Sequence, residues 1–182
     1  MLAKSKLMNW LKTCVVFDTE TTGLGDDAQI CEISIIDHAG SILLNTLVKP
    51  TCVIPDDVIA IHGITNEMVK DAPPWSKVAE KVQAIFMNRV VVAFNAKYDK
   101  RLLDQTSAIC TPNLPRIYGD FYCAFEAYKV YRNEWNFDKN DYQRQSLINA
   151  AKQMGVEIQG KSHRALDDSQ TTLEMMKAVA AA

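Results

Sequence analysis

An apolar run that ends in two acidic residues stands near the start of the chain: Cys14-Val15-Val16-Phe17-Asp18-Thr19-Glu20-Thr21-Thr22-Gly23-Leu24. Residues 13–18 predict a buried strand, because the run is β-branched, aromatic and apolar on both faces. Asp18 and Glu20 are two residues apart, and alternate side chains of a strand share a face, so we expect both carboxylates in one pocket. Gly23 then lets the backbone turn and lets a ligand approach closely. Acidic residues near a strand end are also often only solvated, and this motif alone does not separate the two readings.

A third carboxylate follows another apolar segment. Residues 89–94 predict a second buried strand, and Asp99 lies one turn into the helix expected after it. Asn95 is placed to cap that helix through its side chain. Asp99 is either part of a site at the strand end or a surface carboxylate favoured by the helix dipole.

His163 and Asp168 bracket the segment His-Arg-Ala-Leu-Asp-Asp. Five residues of a regular helix turn through roughly 140°, so the two side chains cannot share one helix face. We therefore predict that His163 lies on the loop before the helix that carries Asp168, with Asp167 as the competing ligand. A lone histidine here also fits an exposed surface position. Four carboxylates and one imidazole are nevertheless the parts needed to hold two hard cations and to deprotonate a water.

The remaining pattern predicts a sheet flanked by helices. Strands are expected at 13–18, 29–37, 41–48 and 89–94, with a hairpin turn at Ala39-Gly40. Helices are expected near 56–61, from an N-cap at Ser76 to about 88, and near 97–106, 121–132, 142–154 and 165–180. Gly155 suits the C′ position of the helix at 142–154. An antiparallel meander extended by a crossover strand gives a mixed sheet with helices packed on it.

Composition sets the limits. A chain of 182 residues with 48% apolar content fits one domain, 1–182, in which residues 1–12 form an N-terminal extension. The net charge of −2 gives no global basic field and is weak evidence against a nucleic-acid substrate, although bound cations would change the local sign. There is no apolar run of about 18 residues and no signal-peptide pattern. Five cysteines without a CxxC pair argue against structural zinc and favour a reducing cytoplasm.

Taken together, these motifs resemble the DEDDh 3′–5′ exonucleases, the family of the proofreading subunit of bacterial DNA polymerase III and of ribonuclease T. The resemblance is carried by Phe-Asp-Thr-Glu-Thr-Thr-Gly-Leu (17–24), Ile-His-Gly-Ile-Thr (61–65), the H-x4-D spacing of 163–168 and the segment 145–156. It covers nearly the whole chain and implies a ribonuclease H-like α/β fold with a mixed five-stranded sheet flanked by helices.

The resemblance also implies roles. The metal ligands would be Asp18, Glu20, Asp99 and Asp168, holding two Mg²⁺ or Mn²⁺ ions, with Asp18 bridging both. His163 would be the general base. The terminal nucleotide would be held by Thr21, Thr22, Gly23, Leu24, His62, Asn95 and Tyr98. His62 could instead simply end the preceding helix. The expected substrate is nucleic acid with a free 3′ end, DNA before RNA, with hydrolysis of oligoribonucleotides or small nucleotides and a non-catalytic binding subunit as alternatives.

Two features depart from the family pattern or extend it. Many relatives have His-Asn-Ala-x-Phe-Asp where this chain has Phe94-Asn95-Ala96-Lys97-Tyr98-Asp99, which removes one polar contact but no metal ligand. The segment 128–144 is rich in aromatic and charged residues and is either a loop that stacks bases or a helix end with its rings in the core.

The expected partners are few. Only 14 residues follow Asp168, so we expect an enzyme without stable polymerase association and without a membrane; a homodimer stays open. Residues 170–175 vaguely resemble a sliding-clamp peptide, but they fall in the last predicted helix, where packing explains them better.

Overall fold

The computed structural model describes residues 2–113, 116–158, 160 and 163–182. Its elements, in chain order, are α1 (Leu2–Trp10), β1 (Val15–Thr21), β2 (Ile30–Asp37), β3 (Ile42–Leu47), α2 (Asp56–His62), α3 (Asn66–Val69), α4 (Trp75–Phe86), β4 (Val90–Ala93), α5 (Ala96–Cys110), β5 (Asp120–Cys123), α6 (Ala124–Arg132), β6 (Trp135–Asn136), β7 (Asp141–Tyr142), α7 (Leu147–Gln153) and α8 (Ala165–Ala181).

The main sheet has five strands in the order β3-β2-β1-β4-β5. The pairs β1–β2 and β2–β3 are antiparallel, whereas β4 pairs in parallel with both β1 and β5. The predicted mixed five-stranded sheet flanked by helices is therefore confirmed. Because β1 and β4 run in the same direction, the residues that follow both strands meet at one edge of the sheet.

Strand β1 is apolar on both faces because both faces are covered. Val15 and Phe17 pack in one core with residues of α4 and α5. Val16 lies in a second core on the opposite face, together with residues of α1, α6 and α8. Alternation along the strand then turns Asp18 and Glu20 toward the α8 side and Thr19 toward the α5 side.

The strand β5 was missed by the sequence prediction, which assigned a helix to 121–132. The segment begins as β5, and the helix starts only at Ala124. Phe121 packs edge-on against Phe17 and Phe86, and it pairs with Val91 in the parallel ladder with β4. Tertiary pairing of this kind overrides the local preference of a short segment.

The helix predicted at 142–154 is shorter than expected. It begins at Leu147, and Ser146 caps it by accepting a hydrogen bond from the backbone N–H of Asn149 at 3.2 Å. The preceding residues form the small β6–β7 hairpin. Gly155 has a φ of 68°, the left-handed conformation expected of a C′ glycine.

The aromatic segment 128–144 divides between the two readings. Tyr128 is fully buried in the core, whereas Phe137 on the hairpin is 87% exposed. A helix end and an exposed loop are therefore both present.

The predicted N-cap of α4 was wrong. Ser76 lies inside the helix, and the N-cap position is Pro74, whose φ of −69° and ψ of 158° are extended. The reason is the burial of Trp75, which is 1% exposed and donates its indole N–H to Ser107 Oγ at 3.0 Å.

The cysteines and the helices bear on two further expectations. All five cysteines are free, and Cys14 and Cys31 are buried as small apolar residues. None of the helices in the described part of the chain combines the length and the apolar character that crossing a membrane requires.

The N-terminal segment forms a helix that packs on the domain. Leu7 is fully buried and Trp10 is 8% exposed, both in the core shared with α6 and α8. Leu7 and Trp10 of α1 therefore contribute to the same core as the site-bearing helix α8.

We predict that Leu7→Ala destabilises the protein by about 2–4 kcal/mol, because it removes a buried side chain and leaves a cavity. Met8→Ala on the same helix should change the free energy of unfolding by less than about 0.5 kcal/mol, since Met8 is 51% exposed. Urea denaturation followed by circular dichroism measures both. Equal effects of the two variants would show that α1 is not docked.

Candidate active site

Three of the predicted carboxylates meet at the edge of the sheet. Asp18 and Glu20 come from the end of β1, and Asp168 comes from the first turn of α8, which packs on that face. One carboxylate oxygen from each of the three lies within 4.8 Å of the others. The predicted sharing of a face by Asp18 and Glu20 is thus present in the structure, and residues 150 positions apart in the chain become neighbours.

Asp99 approaches this group from the other side of the sheet and is not part of the close set of three. It lies in the first turn of α5, is 4% exposed, and accepts a hydrogen bond from the Thr19 hydroxyl at 2.8 Å. The surface alternative for Asp99 is therefore wrong. Thr19 was not singled out from the sequence, although its alternation with Asp18 in the strand could have suggested a role on the opposite face.

His163 lies on the loop before α8, as its spacing predicted. It is exposed and has a φ of 62°, a left-handed conformation that non-glycine residues seldom adopt. Such backbone strain persists only where the surroundings enforce it. The imidazole is therefore presented at the edge of the carboxylate group without being buried in it.

The residue after His163 takes part in an ion pair that the sequence analysis missed. Arg164 donates from Nε to both oxygens of Glu32, at 3.2 and 3.1 Å, and from Nη2 to Oε1 at 2.5 Å. Glu32 Oε2 also accepts the backbone N–H of Ala165 at 2.9 Å, which caps the start of α8. A single acidic residue within the apolar run of β2 was the signal that could have found it.

Arg164 of this ion pair stands between His163 and the first turn of α8, which carries Asp168. Asp168 donates its backbone N–H to the carbonyl of Arg164 at 3.0 Å, so the residue that follows His163 also begins the turn that carries Asp168. The pair Glu32–Arg164 thus sets the position of both predicted functional residues relative to β2.

The four carboxylates of the candidate site all have raised pKa values. Burial, followed by repulsion from Asp168, raises the pKa of Glu20 to about 8. Burial also raises the pKa of Asp168 to about 6 and that of Asp99 to about 7, the latter despite the stabilising bond from Thr19. The pKa of Asp18 is raised well above its usual range by burial and by repulsion from Asp99 and Asp168.

The donor set fits hard divalent cations. The group of three offers oxygen atoms only, and such ligands suit Mg²⁺ and Mn²⁺. Burial is the main cause of each raised pKa, and repulsion from neighbouring carboxylates adds to it. A bound cation would relieve that repulsion, so the arrangement satisfies the chemistry of a metal site.

The loop after β1 forms the rim of this site. The Tyr98 hydroxyl lies 3.1 Å from Thr21 Oγ1 and 3.2 Å from the carbonyl of Gly23, and Thr21 Oγ1 donates to the same carbonyl at 2.9 Å. Thr22 is buried and accepts the backbone N–H of Gln29 at 3.0 Å. The rim is therefore fastened to α5 and to β2.

The remaining predicted nucleotide contacts differ in exposure. Leu24 is 81% exposed at the tip of the loop. Asn95 is exposed and occupies the N-cap position of α5, but its side chain makes no capping hydrogen bond, so that part of the prediction was wrong. Both side chains are free to face a ligand.

His62 is placed differently. It is 2% exposed and is the last residue of α2, which ends at Gly63 with a φ of 74°. Its Nδ1 accepts the backbone N–H of Ile64 at 3.0 Å, so Nε2 carries the proton and donates to the carbonyl of Thr21 at 3.2 Å. His62 therefore supports the rim from behind and also ends its helix.

Comparison with known proteins gives the family. The RNase_T family model, described as "Exonuclease", matches residues 15–176, which include all of the predicted site residues. The chain belongs to this exonuclease family. The cluster of Asp18, Glu20 and Asp168 suits the metal-dependent nuclease chemistry of this family.

This exonuclease is similar in sequence to two relatives over most of its length. It is 45% identical over 184 residues to "Uncharacterized exonuclease CP81" of Escherichia phage 186, covering 94% of this chain and 90% of the relative. It is 31% identical over 164 residues to the DNA polymerase III subunit epsilon of Treponema pallidum, covering 87% of this chain and 72% of the relative.

Solved structures agree with the fold. Exonuclease X in complex with 5′ overhanging duplex DNA superimposes with a TM-score of 0.65 at 28% identity, covering 91% of this chain and 90% of that one. Exonuclease I, at 17% identity, has a TM-score of 0.72 over 92% of this chain and 40% of its own, a likeness of fold alone. The ribonuclease H-like fold expected of the exonuclease is confirmed.

We predict that the metal-free exonuclease loses stability as the pH rises. The pKa values of Glu20, Asp99 and Asp168 are raised in the folded state, so their contribution to stability is full below about pH 4, the unfolded carboxyl range, and is lost as the pH passes through about 6 to 8. In EDTA the Tm should fall by on the order of 5–10 °C between pH 5 and pH 8.5.

The measurement is calorimetry in EDTA and in about 10 mM Mg²⁺. Mg²⁺ should restore the Tm mainly at the higher pH, because it binds the ionised carboxylates. The variant Asp168→Asn should flatten the metal-free slope. A Tm in EDTA that is constant over this range would contradict the electrostatic description of the site.

We also predict that Arg164→Gln costs about 3 kcal/mol of stability and lowers kcat. It strands the buried charge of Glu32, and the estimate is at the lower end for a broken buried pair because the Arg164 side chain is 35% exposed. The double variant Glu32→Gln/Arg164→Gln should recover much of the stability but not kcat, because His163 and α8 lose their anchor. Full recovery of kcat would show that the pair is only structural.

Proposed function

We propose that this exonuclease removes nucleotides from the 3′ end of nucleic acid, in the first instance single-stranded DNA, and releases nucleoside 5′-monophosphates. The observation that carries the proposal is the convergence of the Asp18, Glu20 and Asp168 carboxylates at one edge of the sheet. We propose that the domain spans residues 1–182 and works in the cytoplasm without a stable polymerase partner; a homodimer stays open.

We assign the metal ligands to Asp18, Glu20, Asp99 and Asp168. When bound, two Mg²⁺ ions, or Mn²⁺ in their place, supply the Lewis acidity that activates water and stabilises charge on phosphate oxygens. Asp18 belongs to the close group with Asp168, and Asp99 is near enough for its charge to contribute to the raised pKa of Asp18. That position supports its assignment as the ligand shared by both ions.

We assign the general base to His163. Its exposure and its loop position allow the imidazole to reach an attacking water and accept its proton, while the ion pair Glu32–Arg164 holds the neighbouring backbone in place. Asp168, five residues on, is fixed in α8 and can keep its ligand position as the loop adjusts.

The terminal nucleotide is assigned to the rim. Thr21, Thr22 and Gly23 provide its backbone, the exposed side chain of Leu24 offers an apolar contact to a base, and the Tyr98 ring and Asn95 line the adjoining wall. His62 contributes by fastening Thr21 rather than by touching the nucleotide.

The names of relatives favour DNA over RNA. The relatives include a DNA polymerase III subunit and "Exodeoxyribonuclease 10" of Escherichia coli, which is 36% identical over 104 residues, 46% of its length. RNA trimming is the competing substrate class, and it would require contacts to the 2′-hydroxyl.

The direct test is a gel time course with 5′-labelled single-stranded DNA and RNA of identical sequence, each with Mg²⁺, Mn²⁺ or EDTA. A metal-dependent ladder that shortens from the 3′ end, absent in Asp168→Asn, is the expected result for DNA. Faster shortening of the RNA would instead assign RNA. No shortening of either strand under any metal would refute the proposal.

Two further variants separate the assigned roles. Asp18→Ala should abolish turnover and weaken metal binding, because it removes the shared ligand. His163→Ala should lower kcat by on the order of 10²–10⁴ while metal affinity, measured by calorimetry, changes little. Comparable losses of metal affinity in both variants would contradict the assignment of His163 as a base.

A further inference from the structure

A basic cleft adjoins the acidic site. It has a volume of about 540 Å³ and is lined by the first half of α5 and by Arg144, which follows the β6–β7 hairpin. Four of its lining side chains are cationic and one is acidic, although the whole chain has a net charge of −2. Positive charge therefore predominates in this cleft although the chain as a whole is slightly acidic.

The cations of α5 share a helix face. Lys100 and Arg101 lie three and four residues after Lys97, so the three cations share one side of the helix. The acidic Asp104 lies on the same side, four and three residues after Lys100 and Arg101. From Lys97 to Asp104 the helix rises by about 10 Å. That length matches roughly three nucleotides of a stacked strand, at about 3.4 Å for each.

The four cationic side chains of the cleft differ in the ion pairs and hydrogen bonds that they already make. Lys100 pairs with Asp104 at 2.6 Å, and Arg101 donates to the carbonyls of Leu24 and Gly25 at 3.2 and 3.4 Å. Lys97 and Arg144 are exposed, and neither has an ion pair in the part of the chain that the structure describes. These two charges are available to an anion.

Arg144 is nevertheless fixed relative to α5. Its guanidinium lies 5.8 Å from the ring centre of Phe125, and that ring packs against Phe94 at 5.6 Å. Phe94 is followed directly by Asn95, the N-cap residue of α5. Arg144 at the end of the hairpin and the first half of α5 therefore line two sides of the same cleft.

The cleft is also continuous with the active site. Asn95 and Tyr98 line it, and Tyr98 contacts the rim through Thr21 and Gly23. Asp99, the next residue on α5, faces the carboxylate group. A strand whose last nucleotide occupies the rim would thus have its preceding phosphates beside Lys97 and Arg144.

We propose that this cleft binds the backbone phosphates of the two or three nucleotides that precede the scissile one, chiefly through Lys97 and Arg144. The inference rests on the proposed function for the position of the terminal nucleotide. Contacts of this kind position a strand without reading its sequence. They also make binding depend on salt, because each neutralised phosphate releases counterions.

The test compares the double variant Lys97→Gln/Arg144→Gln with the wild type. A fluorescent 12-nucleotide single-stranded DNA is titrated in EDTA at several salt concentrations and followed by anisotropy. Loss of two phosphate contacts should make the slope of log affinity against log salt shallower by about 1.4, and should weaken binding at 0.1 M salt by on the order of tenfold.

The matched control is Lys12→Gln/Lys81→Gln, which removes the same charge from exposed positions. Lys12 precedes β1, at the end of the strand opposite to the site, and Lys81 lies on α4. Its salt slope should stay that of the wild type. An equal loss in the control, or an unchanged slope in the cleft variant, would overturn the proposal.

Hydrolysis of the p-nitrophenyl ester of thymidine 5′-monophosphate provides a second readout. This probe has no preceding nucleotides, so the cleft variant should hydrolyse it at the wild-type rate while its KM for the 12-mer rises by on the order of tenfold. A parallel loss on both substrates would show damage to the site itself. Salt-dependent binding that the cleft variant loses, without strand shortening by the wild type, would refute the proposed function and still support the cleft.

Discussion

The gathering of four carboxylates in a largely buried place is the constraint on which the rest of this structure depends. Asp18, Glu20 and Asp168 bring oxygens within 4.8 Å of one another, and Asp99 adds its charge from the other face of the sheet. Left to themselves, such groups separate or take up protons. The fold keeps them together because Asp18 and Glu20 lie on the central strand β1 and Asp168 lies on α8, which packs against that strand.

The ion pair between Glu32 and Arg164 joins the start of α8 to β2. Glu32 is directly opposite Glu20 in the β1–β2 ladder, so the anchor of α8 lies beside the ligands that α8 must face. Glu32 is paired with the arginine and with the backbone N–H of Ala165, and its charge still contributes to the raised pKa of Glu20. Arg164 of this pair directly follows His163, whose φ of 62° is left-handed, so the loop that carries the proposed base is joined to β2 beside the carboxylates.

The acidic site and the basic cleft lie next to each other and carry opposite charges. The acidic centre attracts cations, whereas the adjoining cleft presents Lys97 and Arg144. A nucleic-acid strand could not approach the carboxylates unaided, because both are anionic. The nearly neutral composition of the chain therefore conceals a dipolar arrangement that suits a negatively charged polymer bound next to metal ions.

The sequence by itself determined the central strand, the pairing of Asp18 with Glu20 on one face and the loop position of His163, because these follow from local periodicity. It also located most helices, although Ser76 was taken for an N-cap and β5 for a helix. Only the tertiary structure decided that Glu32 and Thr19 serve the site, that His62 lies behind the rim and that Arg144 faces α5. Each of these contacts joins residues distant in the chain, and their energies depend on packing and burial that no local pattern encodes.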